Sequence, residues 1–232
     1  MVKRLLRYRP LKETFVVRRL LDEIRVPERP YCPAWEGDLI WLLITRAGYR
    51  NCLETGFGTG STAIYMLDAI KERDGAVVSI DWSKDNFNDI GRRNISLYGP
   101  AGKHTLIEEP SWRVMPRLVA EGRTFDFVFV DGWKAFDYLV YELFLVNRML
   151  TVGGVVMFDD SYLPSVRKAI GVLKAYYGYR EIDYGSFGQD WRLRLYHIVT
   201  RRGIHRPYRA VQKTIATEDQ APTRAGTFYR RF

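Results

Sequence analysis

Between Asn51 and Thr62 the chain reads N-C-L-E-T-G-F-G-T-G-S-T, and this stretch narrows the fold more than any other. A short apolar run, Cys52 and Leu53, ends at the acidic Glu54. Gly56, Gly58 and Gly60 follow at every second position, and Ser61-Thr62-Ala63-Ile64-Tyr65-Met66-Leu67 then opens a helix-like pattern. Strand, glycine turn and helix in that order form the first unit of an open α/β sheet. Glycines let the backbone bend sharply and let a ligand lie against it with no Cβ between them. The dinucleotide form of such a loop, G-x-G-x-x-G, grips a pyrophosphate at the helix start. Here the register is G-x-G-x-G, with Ser61 where that motif wants its last glycine. An acid two residues before the first glycine suits a cationic ligand better than a phosphate. A plain glycine turn joining a strand to a helix is the alternative.

The chain after the loop repeats the unit. Ala76-Val77-Val78-Ser79-Ile80 is a β-rich run ending at Asp81, 27 residues past Glu54, a reasonable βαβ distance. A carboxylate at that tip can accept two hydrogen bonds from the ribose hydroxyls of an adenosine ligand. Capping of the next helix is the competing role for Asp81, although Ser83 serves that purpose equally well. A helix over 85–97 and a strand over 104–108 follow. Ser111 and Trp112 lie beyond the tip of that strand, where Trp112 either packs against a purine or is buried between helix and sheet. The next helix is expected over 113–120, with Pro116 in its first turn. Phe125-Asp126-Phe127-Val128-Phe129-Val130 is apolar except for Asp126, the pattern of a central parallel strand covered on both faces. It ends at Asp131-Gly132-Trp133-Lys134. A helix to about Leu150, the turn Gly153-Gly154 and a fifth strand, Val155–Phe158, lead to Asp159-Asp160.

Ligands of an open parallel sheet sit beyond the carboxyl ends of its strands. Asp131, Asp159 and Asp160 come from neighbouring central strands and converge there. Three carboxylates together are costly unless a cation or protons offset them. Mg²⁺, with its preference for oxygen ligands, is a natural counter-ion. Helix capping by the acids, and a solvent-facing Lys134, are the plainer alternatives.

The E-x-G-x-G-x-G stretch resembles motif I of the class I S-adenosylmethionine-dependent methyltransferases. Asp131-Gly132-Trp133-Lys134, with Asp159-Asp160 after Gly153-Gly154, resembles the catechol O-methyltransferase type of metal-dependent small-molecule methyltransferase. That type has Asp-His-Trp-Lys after the fourth strand and Asp-Asn after the fifth. The likeness runs from about Trp35 to Val199. It implies a Rossmann-like fold, with a mostly parallel seven-stranded sheet, helices on both faces and an antiparallel C-terminal edge. It also implies S-adenosylmethionine as cofactor, Mg²⁺ as helper and a small hydroxylated acceptor. Glu54, Gly56, Gly58, Gly60, Asp81, Ser111, Trp112 and Asp131 would line the cofactor. Asp131, Asp159 and Asp160 would hold the metal. Asp131 and Lys134 would be catalytic, with Lys134 as general base, its pKa lowered by burial or by the cation. The chain departs from the pattern at Gly132, which stands for the histidine, and at Asp160, which stands for the asparagine and adds a charge.

Outside this core, residues 1–48 read as an N-terminal extension of two amphipathic helices, Leu11–Ile24 and Ala34–Ala47, expected to cover the substrate side and to expose enough apolar surface for a homodimer. A helix over 166–177, with Pro164 near its start and Ser165 as its cap, precedes strands expected over Tyr179–Tyr184 and Trp191–Val199. These strands form the antiparallel edge of a catalytic domain spanning 49–200. Residues 201–232 read as a basic tail with a short helix near Tyr208–Ile215. The net charge of +9 sits in the two ends: residues 1–30 carry nine Lys/Arg against four Asp/Glu, residues 201–232 eight against two, and the middle is slightly acidic. Basic ends attract nucleic acid or anionic lipid. A nucleic-acid methyltransferase is therefore one rival. The fourth strand lacks the Asn/Asp-Pro-Pro-Tyr motif that amino-methylating enzymes use on a flipped base, which argues against it. A non-catalytic S-adenosylmethionine-binding assembly protein is a second rival, and an aminopropyl transferase a third. No apolar run approaches the ~20 residues of a membrane span. Arg7 and Arg9 interrupt any signal-peptide core, and Cys32 and Cys52 fit neither a disulfide framework nor a metal motif, so a cytoplasmic protein is expected.

Overall fold

A computed structural model of the chain describes residues 10–25, 31–82, 87–98, 102–184 and 207–217. The elements are α1 (Phe15–Ile24), α2 (Ala34–Ala47), β1 (Cys52–Thr55), α3 (Ser61–Ile70), β2 (Val77–Ile80), α4 (Phe87–Tyr98), β3 (His104–Ile107), α5 (Ser111–Ala120), β4 (Phe125–Val130), α6 (Phe136–Met149), β5 (Leu150–Phe158), α7 (Pro164–Tyr176), β6 (Tyr179–Glu181) and β7 (Arg209–Lys213). The seven strands form one sheet in the order β3-β2-β1-β4-β5-β7-β6. The first five are parallel, and β7 runs antiparallel between β5 and β6. Chain order reverses beside β1, which makes the mouth between β1 and β4 a topological switch point.

Alternate residues of each strand face opposite layers. Leu53, Val78, Val128, Val156 and Val211 pack on one face against Val114 and Met115 of α5, Leu139 and Val146 of α6, and Ile170 of α7. Cys52, Val77, Phe127, Val155 and Ala210 pack on the other against Leu39 and Ile44 of α2 and Met66 and Ile70 of α3. The apolar run of β4 follows from this double cover. Its one polar residue, Asp126, staples neighbouring segments together. Oδ2 accepts from the backbone N–H groups of Arg50 and Asn51 at 3.0 and 3.1 Å, and Oδ1 from Thr151 Oγ1 at 3.2 Å.

The parallel strands end in step. Thr55 lies opposite both Ile80 and Val130, Ile80 opposite Ile107, and Val130 opposite Phe158. Gly56, Asp81, Glu108, Asp131 and Asp159 therefore form one row just past the strand tips.

Several expectations are corrected. The short helix near Tyr208–Ile215 is instead strand β7, so the stretch read as a tail supplies a sheet strand. Its buried lysine hid it: Lys213 is fully buried, and its Nζ donates to the carbonyls of Asn147 and Leu150 at 2.6 and 2.9 Å, at the C-terminal end of α6. A cation suits that negative end of a helix. Helix α5 begins at Ser111, so Pro116 lies inside the helix and past the first turn, where it costs the Trp112 carbonyl its usual donor. Helix α1 starts at Phe15 because the chain before it is turned onto α2: the Leu11 N–H donates to Asp38 Oδ2 at 2.8 Å, and Arg18 pairs with Asp38 at 3.1 Å. Pro164 opens α7 without a side-chain cap from Ser165. The strand expected over Trp191–Val199 and the proposed cap Ser83 lie outside the described residues.

Candidate active site at the strand tips

The three loop glycines all take left-handed backbone, Gly56 at φ 90°, Gly58 at φ 51° and Gly60 at φ 74°. At Gly56 a Cβ would stand 2.6 Å from the Asp131 carbonyl oxygen, so the absence of a side chain is what lets the β1 loop close against the tip of β4. Asp81 does reach this loop. Its Oδ2 accepts from the N–H groups of Phe57 and Gly58, both at 2.8 Å. Tethering the loop is thus a third role for Asp81, beside ribose binding and helix capping.

Glu54 is fully buried, with Oε1 2.6 Å from Ser79 Oγ and Oε2 without a hydrogen-bond partner among the described residues. Burial holds its pKa well above the usual carboxylate range. Ser79 Oγ also lies 2.8 Å from His104 Nε2. His104 stacks on Phe57 at 5.3 Å, and burial lowers its pKa to about 4, so the ring is neutral. His104 is thus tied across β2 to the loop, a partner that sequence distance concealed.

Ser111 and Trp112 part company. Ser111 is buried and bonds to Tyr138 Oη at 2.6 Å and to Glu142 Oε1. Trp112 is 44% exposed, with the Arg113 guanidinium 4.7 Å from the ring centroid, and so is not buried between helix and sheet.

The acids converge as expected. Asp131, Asp159 and Asp160 each offer an oxygen within 4.8 Å of the others. Asp160 sits at φ 51°, a left-handed conformation that asparagine and aspartate enter more readily than most side chains. Burial, then the charges of Asp131 and Asp160, raise the Asp159 pKa to about 8. Asp131 is raised by burial and held back by Lys134; its side chain is 38% exposed, so solvent softens the effect. Lys134 Nζ donates to Asp131 Oδ1 at 2.9 Å. The expectation of a lowered lysine pKa is reversed: burial does pull it down, but Asp131, Asp159 and Asp160 outweigh burial and raise it. With those carboxylates uncompensated, Lys134 is a cation and not a base.

The donor set fits a hard divalent ion. It offers three carboxylate oxygens, no sulfur or imidazole, and a charge imbalance written into the raised acid pKa values. Two further acids reach this region that the sequence pattern does not mark. Glu36, in the first turn of α2, is raised by burial and then by Asp159 and Asp131. Glu142 on α6 is raised by burial to about 7. The available signal was weak: each is an acid on the apolar face of a helix, and nothing local distinguishes it from a surface acid.

Residues 16–167 match the O-methyltransferase family. The chain is 36% identical over 133 residues to tricin synthase 2 of Oryza sativa subsp. japonica, covering 56% of this chain and 44% of that protein. It is 26% identical over 142 residues to O-methyltransferase ankF of Aspergillus thermomutatus, covering 61% and 57%. It therefore spans about half the length of these curated relatives. Among solved structures, the Streptomyces achromogenes O-methyltransferase TomG in complex with SAM superposes with a TM-score of 0.64 at 20% identity, over 92% of this chain and 94% of that one. The SAH-bound Podospora anserina methyltransferase PaMTH1 gives 0.66 at 13%, over 90% and 91%. At these identities the structural likeness speaks for the fold.

Proposed function

Because the chain belongs to the O-methyltransferase family, we propose that it moves a methyl group from S-adenosylmethionine to a hydroxyl of a small molecule, with a divalent cation at the acid cluster. The observation that carries this reading is the row of strand tips, which sets the glycine loop and Asp81 beside Asp131, Asp159 and Asp160. Once bound, the sulfonium nucleoside would supply an electrophilic methyl, and the cation a charge that lowers a hydroxyl pKa. Glu54, Gly56, Gly58, Gly60, Asp81, Ser111 and Trp112 would hold the nucleoside side. Asp131, Asp159 and Asp160 would hold the metal. A cation held by these acids would weaken the attractions that raise the Lys134 pKa, and Lys134 would then be the group placed to take the hydroxyl proton. Positioning contributes about 7–11 kcal/mol in well-aligned reactions and a base about 10²–10⁴ in rate, so orientation dominates.

Among the described residues no helix is long and apolar enough to cross a membrane. We place the protein in the cytoplasm. The exposed Phe15 and Val16 of α1 offer a contact for a second copy.

The test is titration calorimetry with S-adenosylhomocysteine, with and without Mg²⁺, on the wild type and Asp159→Ala. The expected result is binding to both proteins, with an Mg²⁺ response in the wild type alone. Absence of binding refutes the reading. Binding indifferent to Mg²⁺ favours a metal-free role.

A further inference from the structure

A chain of hydrogen bonds runs crosswise through the three strands on one side of the switch point. His104 Nε2 on β3 lies 2.8 Å from Ser79 Oγ on β2, and Ser79 Oγ lies 2.6 Å from Glu54 Oε1 on β1. Glu54 and Ser79 stand two residues on from Cys52 and Val77, and so share the sheet face that packs on α2 and α3. Both are fully buried, and Glu54 Oε2 has no hydrogen-bond partner among the described residues. The same imidazole stacks on Phe57 of the glycine loop, with 5.3 Å between centroids and 23° between planes. Phe57 is itself fixed: a Cβ on Gly91 of α4 would meet its ring, and its N–H donates to Asp81. His104 therefore holds a loop residue by its face and a strand acid by its edge. β3 is the outer strand of the sheet, where a polar side chain can turn to water; this one bonds to a buried serine instead.

We propose that His104 is a positioning residue of the cofactor site, acting through Ser79 to set Glu54 as the acceptor for the ammonium on the nucleoside's amino-acid arm. The inference rests on the nucleoside reading above. The polarity of the chain follows from counting hydrogens. A serine hydroxyl has one hydrogen and a carboxylate has none. An ionised Glu54 takes the Ser79 hydrogen, so the hydrogen between His104 and Ser79 comes from Nε2. Neutral imidazole has one such N–H, and burial keeps this ring neutral. A hydroxyl that receives a hydrogen bond donates a stronger one, so the chain tightens the hold on Oε1. Oε2 is then the oxygen that lacks a donor. A buried charged oxygen without a donor is costly. An ammonium offers both the charge and the N–H that Oε2 lacks, whereas a sulfonium carries no hydrogen to donate. Glu54 stands two residues before Gly56, where the chain leaves the sheet for the loop, so the arm and the loop meet at one place.

The experiment measures nucleoside affinity of the full chain by titration calorimetry. One probe is S-adenosylhomocysteine, which has the amino-acid arm; the other is 5′-methylthioadenosine, which lacks it. His104→Phe keeps a ring against Phe57 and loses the N–H. His104→Gln restores a donor, and Ser79→Ala removes the middle link. Thermal melting checks each fold. His104→Phe and Ser79→Ala should each weaken S-adenosylhomocysteine binding about tenfold, the worth of one hydrogen bond to a charged group. The double variant should lose little more than either alone, because both cut one chain. 5′-Methylthioadenosine affinity should not change, and His104→Gln should stay close to wild type. Equal loss of both nucleosides overturns the proposal and marks a packing role for the ring. Unchanged S-adenosylhomocysteine affinity in folded His104→Phe or Ser79→Ala overturns it too. So does a loss in His104→Gln as large as in His104→Phe. If the wild type binds both nucleosides equally tightly, this proposal falls and methyl transfer stands; if it binds neither, both fall.

Discussion

Glu142 offers the sharpest test of the buried electrostatics. It is 1% exposed; one oxygen accepts from Ser111, and the other has no partner among the described residues. Burial raises its pKa from 4.5 to about 7, against smaller pulls from Ser111 and Lys134. In the unfolded chain the group titrates near the ordinary glutamate value. The folded state therefore holds an extra proton between those two values, and stability falls as pH rises through that window, levelling off above the folded pKa. A tenfold change in proton affinity corresponds to about 1.4 kcal/mol, so the ionised form costs the fold roughly 3 kcal/mol. Glu142→Gln keeps the shape and removes the charge. Relative to wild type, the variant should gain roughly 3 kcal/mol between pH 5 and pH 8, about 6–12 °C in melting temperature for a chain of this size. Urea unfolding at half-unit pH steps measures the gap. The raised acids at Asp159 and Glu36 titrate in both proteins and cancel in the difference. A wild-type-to-variant gap that stays flat from pH 5 to pH 8 would refute the reasoning.

Two other substitutions probe the scaffold. Gly56→Ala puts a Cβ 2.6 Å from the Asp131 carbonyl oxygen at a backbone φ of 90°, so the β1 loop must withdraw from β4; S-adenosylhomocysteine binding, followed by calorimetry, should weaken at least about 100-fold, corresponding to a strain of roughly 3 kcal/mol. Lys213→Met strips the buried carbonyls of Asn147 and Leu150 of the Lys213 donor; at about 1–3 kcal/mol for each unsatisfied group, urea unfolding should show a loss of roughly 2–6 kcal/mol.

Much of the site was legible because its signals are local. Three glycines at alternate positions need left-handed backbone, and no other residue type enters it so freely. An acid that ends each apolar run lands at a strand tip whatever the packing, because a parallel sheet puts all such ends on one edge. That is enough to bring Asp81, Asp131, Asp159 and Asp160 to the crevice from sequence alone. What each acid does there was decided by neighbours far away in the chain. Asp81 ties down the glycine loop because β1 and β2 end in step. Lys134 is held charged because three carboxylates from two strands outweigh its burial, a balance of opposed effects that no local pattern reports. Glu36 joins the cluster because α2 lies on α3, and β7 fills the sheet because Lys213 finds the end of α6 more than sixty residues back. Sequence sets which groups stand at the strand ends, since alternation and turn chemistry are short-ranged. Protonation state, hydrogen-bond partner and the last strand depend on contacts between segments distant in sequence, and only the folded chain brings those together.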